Sequence, residues 1–159
     1  MQQAALHPIN VEDYLQGELG SEVRHEFVDG QVYAMAGAGE KHNIIALNIA
    51  AALRQAARGT DCRAFISDMK LRIAELNRFY YPDILLACDP QDDNAYYKER
   101  PCLIVEVTSA STLRKDYLEK ALSYQSIDSL QAYLIVAQDK PQVDMLFRAE
   151  DRFWQLKQF

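Results

Sequence analysis

The run CLIVEVT, residues 102–108, sets one acid in the middle of an apolar strand and is followed, after a helical stretch, by a second apolar run, AYLIVAQ, residues 132–138. Two apolar extended runs joined by a helix favour a parallel crossover, with the sheet buried between helices. Strand side chains alternate, so Cys102, Ile104, Glu106 and Thr108 share one face while Leu103, Val105 and Val107 share the other. Glu106 therefore intrudes on an apolar face. An ionised carboxylate there is costly unless it is paired, hydrogen-bonded or bound to a cation.

A second acid poses the same problem. In YYPDILLACD, residues 80–89, Asp83 stands between Pro82 and the apolar run Ile84, Leu85, Leu86, Ala87. If the two strands are neighbours, Asp83 and Glu106 converge on one hard cation that prefers oxygen ligands, and the backbone carbonyl of Val107 supplies a third oxygen. Lys120, on the helix after the second strand, lies at the margin of its apolar stripe and brings an ammonium to the edge of that site. Lys115 and Glu119 fall on the opposite, solvent side of the same helix. The alternative for each residue is structural: Asp83 capping a turn, Glu106 pairing with a buried arginine, Lys120 pairing with Asp116 at i, i+4.

The remaining chain supplies the elements around this pair. VEDYLQGE, residues 11–18, makes a short helix ending near Gly20. RHEFVDGQVYAMAG places Asp29-Gly30, a two-residue hairpin turn, between runs of β-favouring residues, which puts Glu26 opposite Tyr33 in a hairpin over 24–35. From Glu40 to Arg58 the apolar spacing is helical, with Gly59 as the stop. Strands follow at 61–66, 69–74, 79–88 and 102–108, and a helix carrying Leu113, Tyr117, Leu118, Ala121 and Leu122 on its apolar side runs to about Gln125. The long loop DPQDDNAYYKERP lacks calcium-loop spacing and reads as a solvated connection. Together these give an α/β (α+β) fold: an αβββαβ core over 40–136 with a mixed central sheet flanked by helices, preceded by the hairpin, in one domain spanning 1–159.

Composition limits the function. The chain has 159 residues, 49% hydrophobic and 25% charged, enough for one substantial core and unlike a disordered chain. No stretch suits a bilayer span and the first residues lack a basic-then-apolar leader, so the reading is cytoplasmic with no membrane partner. Three cysteines, Cys62, Cys88 and Cys102, have no metal-site spacing and are expected as buried free thiols. The net charge of −6 counts against nucleic-acid binding by a general basic surface, although a local cluster of cations suffices. Arg54, Arg58, Arg63, Lys70, Arg72, Arg78, Arg114 and Lys115 are the available cations, with Tyr96 and Tyr97 as possible stacking groups.

The segments RHEFVDGQVYAMAG with His42, SDMKLRI, YYPDILLACD and PCLIVEVTSASTLRKDYLEKALSYQSI resemble, in order and spacing, the Uma2 family, a bacterial group described as endonucleases within the restriction-endonuclease-like PD-(D/E)xK superfamily. The resemblance covers about residues 14–154. It implies the same αβββαβ core and a Mg2+- or Mn2+-dependent endonuclease acting on phosphodiester bonds in DNA. Pro82 and Asp83 match PD, and Glu106 matches the second acid. Thr108 stands where the superfamily pattern has its lysine, and Lys120 on the next helix is the natural substitute. Asp83, Glu106 and Lys120 are thus the catalytic candidates. Glu26 matches a frequent family acid and His42 is placed to contact phosphate or shuttle a proton, so Glu26, His42 and Thr108 are additional candidates. Two-strand cutting implies a homodimer. The alternative is a non-catalytic nucleic-acid-binding or protein-interaction module that retains the fold.

Overall fold

The computed structural model describes residues 7–159; residues 1–6 of the expected domain and leader reading lie outside the described residues. A first helix, α1 (Val11–Gly20), is capped by Asn10, whose side chain accepts from the Asp13 N–H. The hairpin follows as β1 (His25–Val28) and β2 (Gln31–Ala34), with Glu26 opposite Tyr33. Its turn has Asp29 at φ 50° and Gly30 at φ 87°. Both are in the left-handed region that the Asp-Gly pair tolerates.

After α2 (Glu40–Ala56) the chain builds two sheets rather than one. Strands β3 (Arg63–Ile66), β6 (Ile84–Ala87), β8 (Pro101–Thr108), β9 (Ala132–Ala137), β10 (Val143–Arg148) and β11 (Trp154–Gln158) form a six-stranded sheet in the order β11-β10-β9-β8-β6-β3. Within it β8 and β9 are parallel, as the crossover requires, and the other pairs are antiparallel. Strands β4 (Lys70–Ile73), β5 (Arg78–Tyr80) and β7 (Tyr97–Lys98) join the hairpin in a five-stranded sheet, β2-β1-β5-β4-β7. The expected strand 79–88 is two strands, because Pro82 interrupts the ladder and lets β5 enter one sheet and β6 the other. Tyr81, Pro82 and Asp83 are the crossing between sheets.

Helices cover both faces of the six-stranded sheet. Ala50 of α2 packs on Ile84, Val105, Val107 and Val136. On the other face lies a continuous helical segment: α3 (Leu113–Lys115), a π-helical stretch (Asp116–Lys120) and α4 (Ala121–Gln125). Its Ala121 and Tyr124 join Leu85, Ile104, Tyr133 and Ile135 in one core with Leu71, Ile73 and Tyr80 of the second sheet. The face of this segment differs from expectation: Leu113, Leu118 and Leu122 are exposed, while Asp116, Lys120 and Ser123 are buried. The surface it covers is apolar at Leu85, Ile104 and Ile135 but also carries Glu106, with Glu26 beside it, so Asp116 and Lys120 are buried along with the apolar residues.

The cysteines also differ from expectation. Arg63 pairs with Ala87 across β3 and β6, which brings the flanking Cys62 and Cys88 together, and they form a disulfide. Cys102 is the free thiol, with its Sγ 3.1 Å from Cys88 Sγ. These sulfurs lie at the opposite end of the strands from Asp83. Among the described residues no helix is long and apolar enough to cross a membrane.

Candidate active site

The β6–β8 register pairs Ile84 with Val105, so Asp83, one residue before β6, comes level with Glu106 and Val107. Asp83 Oδ2 accepts from the Val107 N–H at 2.7 Å and lies 3.1 Å from His42 Nε2 at the start of α2. The Asp83 N–H donates to Glu106 Oε2 at 3.3 Å. The Asp83 carbonyl is held by the Ser67 N–H, 3.1 Å, and the Ser67 carbonyl by the Arg24 guanidinium, 2.5 Å. The two acids thus meet, with the Asp83 backbone itself as the link.

The helical segment brings the cation. Lys120 Nζ lies 2.9 Å from Glu106 Oε1, 3.3 Å from Glu26 Oε1 and 3.6 Å from Asp116 Oδ1. Lys120 is only 6% exposed, so its ammonium does not emerge at an edge as expected but is enclosed by three carboxylates. The i, i+4 pairing with Asp116 is also present, as the longest of these contacts. Tyr124 OH donates to Glu106 Oε1 at 2.8 Å. Glu26, 4% exposed, is no surface hairpin residue; its second oxygen accepts from Lys115. Lys115 and Glu119, expected in solvent, both turn inward, Glu119 accepting from Tyr80 OH at 2.8 Å.

Two ammonium groups, Lys120 and Lys115, face the three acids, with the Asp83 carboxylate close by, so negative groups outnumber positive ones and the electrostatics follow from that. Burial pushes the Glu106 carboxyl up to about 8; Lys120 opposes this, while Asp83 and Asp116 act in the same direction as burial. Burial likewise raises Asp116 against the pull of Lys120. For Lys120, burial disfavours the charge, but Glu106, Glu26 and Asp116 outweigh it and hold the ammonium above the ordinary lysine value. Burial, then the Glu106 charge, raises the Tyr124 hydroxyl well above its usual range, so it remains a donor.

Glu26, His42, Asp83, Glu106, Asp116 and Lys120 line a cleft of about 670 Å³ between the hairpin, the start of α2 and the loop after β8, with Arg24, Ser67, Tyr81, Ser109 and Thr112 also on its walls. Of the candidates read from sequence, Asp83, Glu106, Lys120, Glu26, His42 and Val107 converge here. Thr108 does not line the cleft; its hydroxyl is 3.1 Å from that of Thr112 and serves the turn into the helix. Of the eight available cations, three are committed inside the fold: Lys70 is buried, Arg72 pairs with Glu99 and stacks on Phe79 and Tyr97, and Arg78 bonds Ser123 and Asp29. Tyr97 packs edge-on against Phe79 and is not a free stacking group. Sequence reasoning gave Asp116 only as the i, i+4 partner of Lys120, put Lys115 in solvent, and missed Tyr124. Asp116, Lys120 and Tyr124 stand at i, i+4 and i+8 on one helical face, a pattern that gains meaning only once the carboxylates opposite it are placed.

The sequence matches, over residues 11–159, the Uma2 family, described as "Putative restriction endonuclease". Two uncharacterized proteins of Synechocystis sp., slr1290 and sll1609, are each 33% identical over 147 residues; the alignments cover 92% and 91% of this chain and 77% and 83% of theirs. Among solved structures, "a putative nuclease belonging to DUF820" from Anabaena variabilis superposes with a TM-score of 0.71 at 15% identity, covering 96% of this chain and 84% of that one.

Proposed function

The chain belongs to the Uma2 family, and from that membership and the geometry of its cleft we propose that it is an endonuclease hydrolysing phosphodiester bonds in DNA with Mg2+ or Mn2+. The observation that carries this reading is the meeting of Asp83 and Glu106, from consecutive strands of one sheet, beside the buried ammonium of Lys120.

The donor set suits a hard ion. Asp83 Oδ2 is taken by Val107 and His42, which leaves Oδ1 with no partner among the described residues. The Val107 carbonyl leaves β8 by the same edge as the N–H given to Asp83. With Glu106 Oε2 these are all oxygens. No three His, Cys, Asp or Glu side chains among the described residues are grouped as a ready cage, so Asp83, Glu106 and the Val107 carbonyl would hold an ion that retains part of its water shell, as magnesium does. When bound, it supplies a more acidic water and neutralises charge on the scissile phosphate.

The protein's own groups have separate tasks in this reading. His42 and the Val107 N–H fix Asp83 so that its free oxygen faces the cleft. Lys120 is anchored by Glu106 and Glu26; its contact with Asp116 is too long for a hydrogen bond, so one N–H remains for water or a phosphate oxygen. That ammonium offsets the charge that develops as the phosphate is attacked. Incubating pure protein with plasmid and MgCl2 or MnCl2, alongside Asp83→Ala and Lys120→Ala, tests the reading. Both variants should lose cleavage; cleavage equal to wild type in both would trace the activity to a contaminant.

One observation favours a non-catalytic module instead: both Glu106 oxygens already accept bonds from the chain itself, Oε1 from Lys120 and Tyr124 and Oε2 from Asp83. Calorimetric titration with Mn2+ separates the two. An ion site lost in Glu106→Ala supports the nuclease, and no carboxylate-dependent site supports the module. A homodimer for two-strand cutting would use the β11 edge, where Leu156 and Phe159 are exposed; a monomer mass in solution removes it.

A further inference from the structure

We propose that the strand entering this site is unpaired, and that Tyr33 stacks on the base next to the scissile phosphate while Arg114 and Lys115 hold the adjoining backbone. The inference rests on the nuclease reading for its substrate class. The cleft does not end at Lys115. A second cavity of about 460 Å³ shares Tyr33, Ser111 and Lys115 with it and continues over Val28, Leu118 and Arg114. Tyr33 stands where the two meet: it is 51% exposed, and Lys115 Nζ lies 5.8 Å from its ring centre. The path inward is short, since Lys115 contacts Glu26 and Glu26 contacts Lys120.

Charge complementarity selects the occupant. The inner cleft sets Glu26, Asp83, Glu106 and Asp116 against Arg24, Lys120 and the shared Lys115, so carboxylates outnumber cations there. The outer groove has the opposite balance: Arg114 is exposed and makes no ion pair among the described residues, Lys115 is partly exposed while also contacting Glu26, and the one carboxylate of the groove, Glu119, is turned to the Tyr80 hydroxyl. Two cations beside an exposed aromatic ring and the apolar Leu118 suit a single strand, which gains affinity from base stacking as well as charge. A duplex depends on many phosphate contacts at once. A chain of net charge −6, with most of its arginines committed to internal partners, provides few.

Fluorescence anisotropy in EDTA, where ion-dependent cleavage is silent, tests this with an unstructured single-stranded oligonucleotide and a duplex carrying equal phosphates. The single strand should bind more tightly than the duplex. Tyr33→Ala should weaken single-strand binding about 10-fold and leave duplex binding unchanged, while Tyr33→Phe behaves as wild type. Arg114→Ala should reduce the slope of log affinity against log salt by about 0.7. Duplex binding as tight as single-strand binding, an unaffected Tyr33→Ala, or no binding of either probe overturns the proposal. Because binding is read without turnover, a protein that binds this way yet never cleaves with Mg2+ or Mn2+ refutes the hydrolytic reading alone.

Discussion

Lys120 is the residue whose removal does most, because three buried or nearly buried acids depend on it. Breaking a buried ion pair from one side costs about 3–5 kcal/mol, so Lys120→Met should lower unfolding stability by that order in urea. Above pH 8, adding Glu106→Gln should recover part of the loss by removing one stranded charge, and cleavage should stay absent. Full recovery of activity in the double variant would remove Lys120 from the chemistry. Glu106 carries its own signature. Its folded value, about 8, is raised above the carboxylate value of 4.5. Its contribution to stability is therefore full below pH 4.5 and is lost as pH rises through 8. In chelator, thermal unfolding should show that decline, and Glu106→Gln should flatten it; an unchanged slope would mean that Glu106 is not the group titrating. Asp83 and Glu106 were legible in the sequence because each interrupts an apolar run. Asp116 was legible only as the i, i+4 partner of Lys120, and Tyr124 not at all, since on a helix a polar residue signals nothing until one knows that buried carboxylates lie opposite it.

The hairpin shows what a turn can and cannot reveal. Asp29-Gly30 was readable because few residues accept two successive positive φ values. What the sequence did not show is that Gly30 also abuts the chain before α1: a Cβ there would lie 2.6 Å from Pro8 Cβ. Gly59 has a similar φ, 76°, but open space around it. Gly59→Ala should therefore cost about 1 kcal/mol for the backbone alone, and Gly30→Ala clearly more, about 2–3 kcal/mol, because overpacking adds to it. Denaturant midpoints of the two variants check the difference; equal costs would mean that Pro8 moves aside freely. The same limit explains the strand at 79–88, which splits at Pro82. Both halves are apolar, and which sheet each joins is set by distant partners, β1 for one and β8 for the other.

At the scale of the molecule, Asp83 sits where the chain passes from one sheet to the other, so the site depends on how the two are held together. One clasp is covalent. The Cys62–Cys88 disulfide spans 26 residues that include β3, β4, β5 and β6, strands of both sheets. No spacing rule announced it, because the pairing comes from the β3–β6 register. Closing a loop of that length removes unfolded-state entropy worth about 3 kcal/mol in the chain-entropy account. Reduction with dithiothreitol should lower the unfolding free energy by that order. The cysteines cap the end of β3 and β6 remote from Asp83, while Val107, His42 and Ser67 fix Asp83 without them. The heat of Mn2+ binding should then be the same before and after reduction at temperatures where both forms are folded. If reduction abolishes ion binding while leaving the protein folded, the strands transmit strain along their length and the two ends are not independent.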